Sequence, residues 1–197
     1  DMTSSLVGSE MCIRDRDIHT EISVSFDEAA FGCDKMIRLQ KEDGSIQTLQ
    51  VHIPEGMEDG KSIRLRGKGA PGTGGGQPGD LFMKFHVGTR PGFERKGSDI
   101  YTTVQVPFTT AVFGGEVMVE TLTGRVLCKI RKGTQSGSRI RLKGKGVASM
   151  NQPSVHGDQY VTVQIQVPTS LSPEAEQKLR EYEAACKGGR RRGNSAA

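Results

Sequence analysis

The chain repeats itself. Residues 17–32 (DIHTEISVSFDEAAFG) return at residues 99–114 (DIYTTVQVPFTTAVFG), with eight of sixteen positions identical at an offset of 82. Residues 56–69 (GMEDGKSIRLRGKG) return at residues 133–146 (GTQSGSRIRLKGKG), with eight of fourteen identical at an offset of 77. Gly79-Asp80 then returns as Gly157-Asp158, each pair opening a strand-like run. Three blocks in the same order mean two copies of one module. Two copies are too few for a solenoid, so the repeat predicts tandem, similar subdomains. Each holds about 70 residues, near the smallest size at which a core sustains itself.

Within the module, alternation dominates. Ile18, Thr20, Ile22, Val24 and Phe26 share one parity against His19, Glu21, Ser23 and Ser25, the period of a half-buried strand. Residues 27–31 (DEAAF) change to helix formers and stop at Gly32, a C-cap residue. A strand at 35–40 turns at Glu42-Asp43-Gly44 into a return strand at 47–53, because Asp-Gly favours a tight hairpin. A short strand at 63–65 enters the glycine-rich GKGAPGTGGGQPGD, and residues 81–87 close the module. The second copy follows the same plan over 99–167, with Leu122-Thr123-Gly124 at its hairpin.

After the second copy the period changes. Ser172 and Pro173 are an N-cap and a first-turn proline, and Leu171, Ala175, Leu179 and Tyr182 fall at helical spacing. A helix of about 13 residues is marginal alone in water, so it is expected to pack on its own domain or on a second chain. The expected fold is mostly β: two tandem β-sandwich-like subdomains, each with a short helix, plus a C-terminal helix. The expected boundaries are a non-native leader (1–16), subdomain I (17–88), a connector (89–98), subdomain II (99–168), the helix (169–186) and a basic, disordered tail (187–197). The leader matches nothing in the second copy and lacks the apolar core of a signal peptide.

Composition narrows the function classes. Lys and Arg number 27 against 23 Asp and Glu, and 27 − 23 = 4, the charge that Lys187, Arg190, Arg191 and Arg192 alone supply. The body is therefore near neutral and carries no basic nucleic-acid footprint. Cys12, Cys33, Cys128 and Cys186 are far apart, without the paired spacing of a zinc site, and they suit a reducing compartment. No run of 18 apolar residues occurs, so no transmembrane helix is expected. Gly67, Gly69 and Gly72 match a dinucleotide fingerprint in form, but more glycine and a strand follow where that motif needs a helix. A turn is the better reading. With no nucleophile elbow, no H-E-x-x-H and no Walker sequence, and with His19, His52, His86 and His156 scattered, no enzyme, cofactor or metal is expected.

The repeated strand–DEAAFG unit, the IPEG-MEDG and RKG-TQSG turns before RLRGKG and RLKGKG, the FERKGSDIY connector, PFTTAVFGGEV and the terminal LSPEAEQKLREYE run in a specific order. In that order they resemble the C-terminal substrate-binding region of DnaJ-type co-chaperones, the forty-kilodalton heat-shock class, over roughly residues 17–185. The J domain's His-Pro-Asp triplet is not in this sequence, and the zinc module of one family class would fall after Leu39, where this chain turns at Asp43-Gly44. The resemblance therefore points to a C-terminal fragment of a zinc-free member, which should hold clients without stimulating a DnaK-type ATPase.

The resemblance implies an extended-peptide groove in the first subdomain, where a client strand adds to a sheet edge while its side chains fill pockets. It assigns Val24, Phe26, Ile37 and Leu39 to that groove, Phe82 to its far wall, and Lys35 to a contact with the acidic C-terminal tail of a DnaK-type partner. Alternating apolar residues are also what a core strand shows. Phe26, Phe31, Ile63 and Leu65 recur as Phe108, Phe113, Ile140 and Leu142, whereas Lys35, Ile37 and Leu39 do not recur. Shared positions point to structure and unshared ones to function. The implied partners are unfolded client polypeptides, a DnaK-type chaperone and a second copy, paired through Leu171, Ala175, Leu179 and Tyr182, which would give two linked weak sites avidity. The implied location is the cytoplasm, with no membrane contact. The alternative is a nucleic-acid or anionic-polymer module built on Arg64, Arg66, Lys68, Arg141, Lys143 and Lys145.

Overall fold

Strand-forming alternation governs the structure as it does the sequence, and the fold is mostly β. The computed structural model describes residues 17–40, 46–71 and 77–190, with backbone alone at 39, 40 and 188–190. The expected leader, the hairpin tip at Asp43-Gly44, Cys12 and the end of the basic tail lie outside the described residues.

The first copy comprises β1 (Ile18–Val24), α1 (Phe26–Phe31), β2 (Cys33–Gln40), β3 (Ile46–Ile53), β4 (Ser62–Leu65) and β5 (Leu81–Val87). β1 pairs with β5 in parallel, Ile18 opposite Leu81 and Val24 opposite Val87. β4 pairs antiparallel on the far side of β5, giving the order β1-β5-β4. β2 and β3 form a separate antiparallel hairpin, with Cys33 opposite Ile53 and Ile37 opposite Leu49. One parity from each layer meets in the core: Ile22, Val24, Val51, Ile53, Leu81, Met83 and Phe85, closed by Ala29 of α1 and Met57. Burying each such aliphatic or aromatic side chain contributes about 1.5–3 kcal/mol.

The connector adds β6 (Glu94–Lys96), and the second copy repeats the plan as β7 (Asp99–Pro107), α2 (Phe108–Phe113), β8 (Gly115–Thr121), β9 (Gly124–Ile130), β10 (Arg139–Leu142) and β13 (Gln159–Gln166). Its open sheet runs β10-β13-β7-β6, and β8-β9 is its hairpin. A small hairpin, β11 (Ala148–Ser149) with β12 (Gln152–His156), is added where the first copy has its glycine-rich loop. Two units divide the chain: residues 1–102, 121–124 and 140–161, and residues 103–120, 125–139 and 162–197.

The closing helix, α3 (Pro173–Arg190), is longer than the 13 residues expected. Ser172 caps it, its Oγ accepting from the Ala175 amide at 3.2 Å. Ion pairs one turn apart carry it further: Lys178 with Glu174, Arg180 with Glu176, and Lys187 with Glu183. Each such pair stabilises a helix by about 0.2–0.5 kcal/mol.

Candidate functional site

Three residues of the first copy form one network at the mouth of its sandwich. Ser25 is the N-cap of α1, and its Oγ accepts from the Glu28 amide at 3.2 Å. Glu28 returns the contact by accepting from the Ser25 amide at 2.7 Å, completing a capping box. The same Glu28 carboxylate receives the Lys35 ammonium at 3.2 Å. Lys35 also donates to the Ser23 carbonyl of β1 at 3.0 Å. The Ser25 amide, and then Lys35, hold the Glu28 carboxyl below the usual carboxylate range. Lys35 thus leans from β2 onto β1 and is fixed there by the cap of the intervening helix.

Those two strands are both edges. β1 ends the three-stranded sheet, and β2 has β3 as its one strand partner among the described residues. Between them the sandwich does not close. The inward parity of the hairpin is buried at its base, at Val51 and Ile53, but only half-buried at Ile37 and Leu49 toward its tip. Ile18 of β1 and Ile63 and Leu65 of β4 pack on the same core and are likewise partly exposed. The result is a partly open apolar face, a candidate cleft, beside a strand edge that is unpaired among the described residues, with the Lys35 ammonium on the same strand. Such a site can accept an extended peptide as an added strand.

The residues expected to line a groove divide into four groups. Lys35 and Ile37 stand at the cleft. The Leu39 side chain lies outside the described residues, although its backbone pairs with Gln47. Val24 (3% exposed) and Phe26 (7%) are core residues. Val24 packs in the main core, and Phe26 joins Ala30, Ile100 and Val147 in a second cluster, with Phe93 and Leu122 against it. Phe82 alternates away from Leu81 and Met83, so it lies on the opposite face of its sheet from the cleft. There it stacks on His19 at 5.1 Å between centroids, with the Arg64 guanidinium 5.6 Å from its ring. Val24 and Ile37 thus share one core, while Phe26 lies in the second cluster and Phe82 on the opposite face of its sheet. Ile18, Leu49, Ile63 and Leu65, unassigned from sequence, pack partly exposed on the same core. Their signal is the inward parity of β3 and β4, readable once the sandwich is known.

Ala175, Leu179 and Tyr182 lie on α3, and Leu171 precedes it. Leu171, Leu179 and Tyr182 are exposed and Ala175 is half-buried. A hydrogen bond between the Tyr182 hydroxyl and Cys186 raises the Tyr182 pKa.

The basic clusters are partly spent inside the fold. The Arg64 Nε donates to Asp80 at 2.6 Å, and the Asp80 carboxylate also accepts from the Gly67 amide at 2.8 Å. Gly67 supplies the positive φ (65°) that this turn needs. The second copy rebuilds the device: the Arg141 Nε donates to Asp158 at 2.6 Å, and Gly144 donates at 2.8 Å. In both, the backbone amide together with the arginine holds the aspartate below its usual pKa. Burial raises the thiols of Cys33 and Cys128, the opposite of what a reactive cysteine needs. Among the described residues, no cluster of three or more His, Cys, Asp or Glu is arranged to hold a metal. No helix among them is long and apolar enough to cross a membrane.

Comparison with known proteins agrees with this architecture. The family model for the DnaJ C-terminal domain matches residues 18–168. This chain belongs to that family. It is 42% identical over 149 residues to the chaperone protein DnaJ of Lachnospira eligens, covering 76% of this chain and 40% of that protein. It is 44% identical over 137 residues to the chaperone protein DnaJ of Burkholderia thailandensis, covering 70% of this chain and 36% of that one. The chain therefore spans less than half the length of these curated relatives, and the match begins at the first strand of the first copy.

Proposed function

We propose that this chain is the client-holding part of a DnaJ-type co-chaperone and not an enzyme. It binds extended apolar polypeptide segments in the cytoplasm for delivery to a DnaK-type chaperone. The observation that carries this is the half-open end of the first sandwich. Ile37, Leu49, Ile63 and Leu65 remain partly exposed there beside the free edge of β2. A client segment adds backbone hydrogen bonds along β2, its apolar side chains enter the cleft, and a carboxylate of the client or of the partner's acidic tail meets Lys35. Family membership supports the same reading. The helix α3 joins two copies through Leu171, Ala175, Leu179 and Tyr182, so that two weak clefts engage one client.

The anionic-polymer alternative loses support, because Arg64 and Arg141 are already paired with Asp80 and Asp158. The test is fluorescence anisotropy of a labelled extended apolar peptide with wild type and Ile37→Asp, at low and high salt. Binding that survives salt and is lost in the variant is expected. Binding that ignores the variant and falls steeply with salt would move the function to the basic clusters.

A further inference from the structure

The short helix α1 is six residues long and is held from several sides. Ala29 closes the main core, while Phe26 and Ala30, one turn apart, pack against Ile100 and Val147 in the second cluster. Glu28 receives the Lys35 ammonium of β2 at 3.2 Å. Its neighbour Asp27 is engaged elsewhere: its carboxylate accepts from the Arg90 guanidinium of the connector at 2.9 Å.

The connector grips this helix at both ends. At the first turn, Arg90 holds Asp27 and lies 4.4 Å from the centroid of the Phe93 ring. Phe93 in turn packs against the cluster that contains Phe26. At the last turn, the Gly56 amide donates to the Ala30 carbonyl at 3.3 Å. The carbonyls of Gly56 and Met57 accept from the Arg95 guanidinium at 2.6 and 2.7 Å. Gly56 is tightly packed, since a Cβ there would strike the Ala148 carbonyl oxygen. All of these residues lie in the first of the two units.

The second copy lacks both halves of the arrangement. Thr109 and Thr110 stand where Asp27 and Glu28 do, and Val117 stands where Lys35 does. Phe108, the counterpart of Phe26, is 39% exposed. The grip on the helix and the ammonium on the neighbouring strand thus occur together in one copy and are both missing from the other. A physical link accounts for this. A lysine is a flexible four-carbon side chain with a mobile head, so its ammonium is fixed only where its carboxylate is fixed. Asp27 and Glu28 are successive residues of one short helix, and a tilt that frees one displaces the other.

We propose that Arg90 and Arg95 are positioning residues of the client site: by fixing α1 from the connector, they fix the Lys35 ammonium and set how strongly the site prefers carboxylate-bearing segments. This rests on the cleft reading above. Both arginines act through α1 rather than on the client.

Fluorescence anisotropy of the whole chain tests this with two labelled extended apolar peptides, identical except for one glutamate or glutamine at the same place. The ratio of the two affinities reports the Lys35 contact, whereas a general loss of structure lowers both affinities and leaves the ratio. The expected result is a wild type that prefers the glutamate peptide, a Lys35→Ala variant without that preference, and a preference narrowed a few-fold in Arg90→Ala and in Arg95→Gln. Arg90→Lys, which keeps a cation beside Asp27, should restore most of it. Arg90→Ala added to Lys35→Ala should change the ratio no further, because the two residues then act on one contact. A ratio that keeps its wild-type value in an arginine variant, while Lys35→Ala abolishes it, would overturn that arginine's role and leave the cleft standing. A ratio that Lys35→Ala does not change would overturn the cleft reading and this inference with it.

Discussion

The first and second copies share a plan and differ at three linked positions. Where the first has Ser25, Glu28 and Lys35, the second has Pro107, Thr110 and Val117. The substitutions remove a whole device: α2 has no side-chain cap, and Val117 has no ammonium to place on β7. One inward strand position changes with it. Ile37 is half-buried on β2, whereas its counterpart Val119 is 2% exposed on β8. Elsewhere the copies agree: Leu49, Ile63 and Leu65 and their counterparts Val126, Ile140 and Leu142 are all half-buried, so the contrast sits at the one hairpin position beside the charged network. Duplication followed by divergence thus separates what holds the module together from what lets it hold something else.

The widest contrast between the copies should appear when the same charge is placed at equivalent positions. Val119→Asp buries an unpaired carboxylate and should cost about 3 kcal/mol or more, read as a large loss of melting temperature. Ile37→Asp, at a wet cleft, should keep most of the stability and instead weaken client-peptide affinity at least about tenfold, or about 1.4 kcal/mol. Equal destabilisation at the two sites would mean that Ile37 is as enclosed as Val119 and that no cleft exists.

A smaller contrast concerns the caps. Ser25→Ala removes the N-cap acceptor and should cost about 1 kcal/mol, with a few-fold loss of peptide affinity because Glu28 no longer holds Lys35 against Ser23. Pro107→Ala in the second copy breaks no side-chain hydrogen bond and should leave affinity unchanged. Peptide binding that is insensitive to Ser25→Ala would detach Lys35 from the site.

These contrasts also mark what the sequence reveals. The strands, both short helices and the Ser172 cap follow from period and cap chemistry, which are local. Lys35 and Ile37 stood out because the repeat does not share them. Phe26 was ambiguous on that same ground, and its burial under Ile100 and Val147 is a contact between distant segments that no local period encodes. The face that Phe82 occupies was not readable, because strand parity alone does not say which face of a three-stranded sheet meets the second layer. Its stacking recurs in the second copy: Tyr101 and Tyr160 stack at 5.3 Å where His19 and Phe82 do in the first.

The smallest contrast is expected where the copies agree most. Asp80 and Asp158 each accept from an arginine and a glycine amide, and each donates its own amide to an aspartate that opens the module, Asp17 at 2.8 Å and Asp99 at 2.7 Å. Both carboxyls titrate below their ordinary value of 3.8 in the folded chain. A depressed folded pKa stabilises at pH above the unfolded value, and that stabilisation is lost as pH falls through the folded one. Asp80→Asn and Asp158→Asn should therefore each lower the melting temperature at neutral pH. The gap from wild type should shrink as pH drops below about 3.8, by similar amounts in the two variants. Thermal melts from pH 7 to pH 2.5 would check this. A gap that persists at the acid end would show that amide geometry, rather than carboxylate charge, sustains the turn. A gap present in only one variant would mean that the two copies have diverged even in their scaffold.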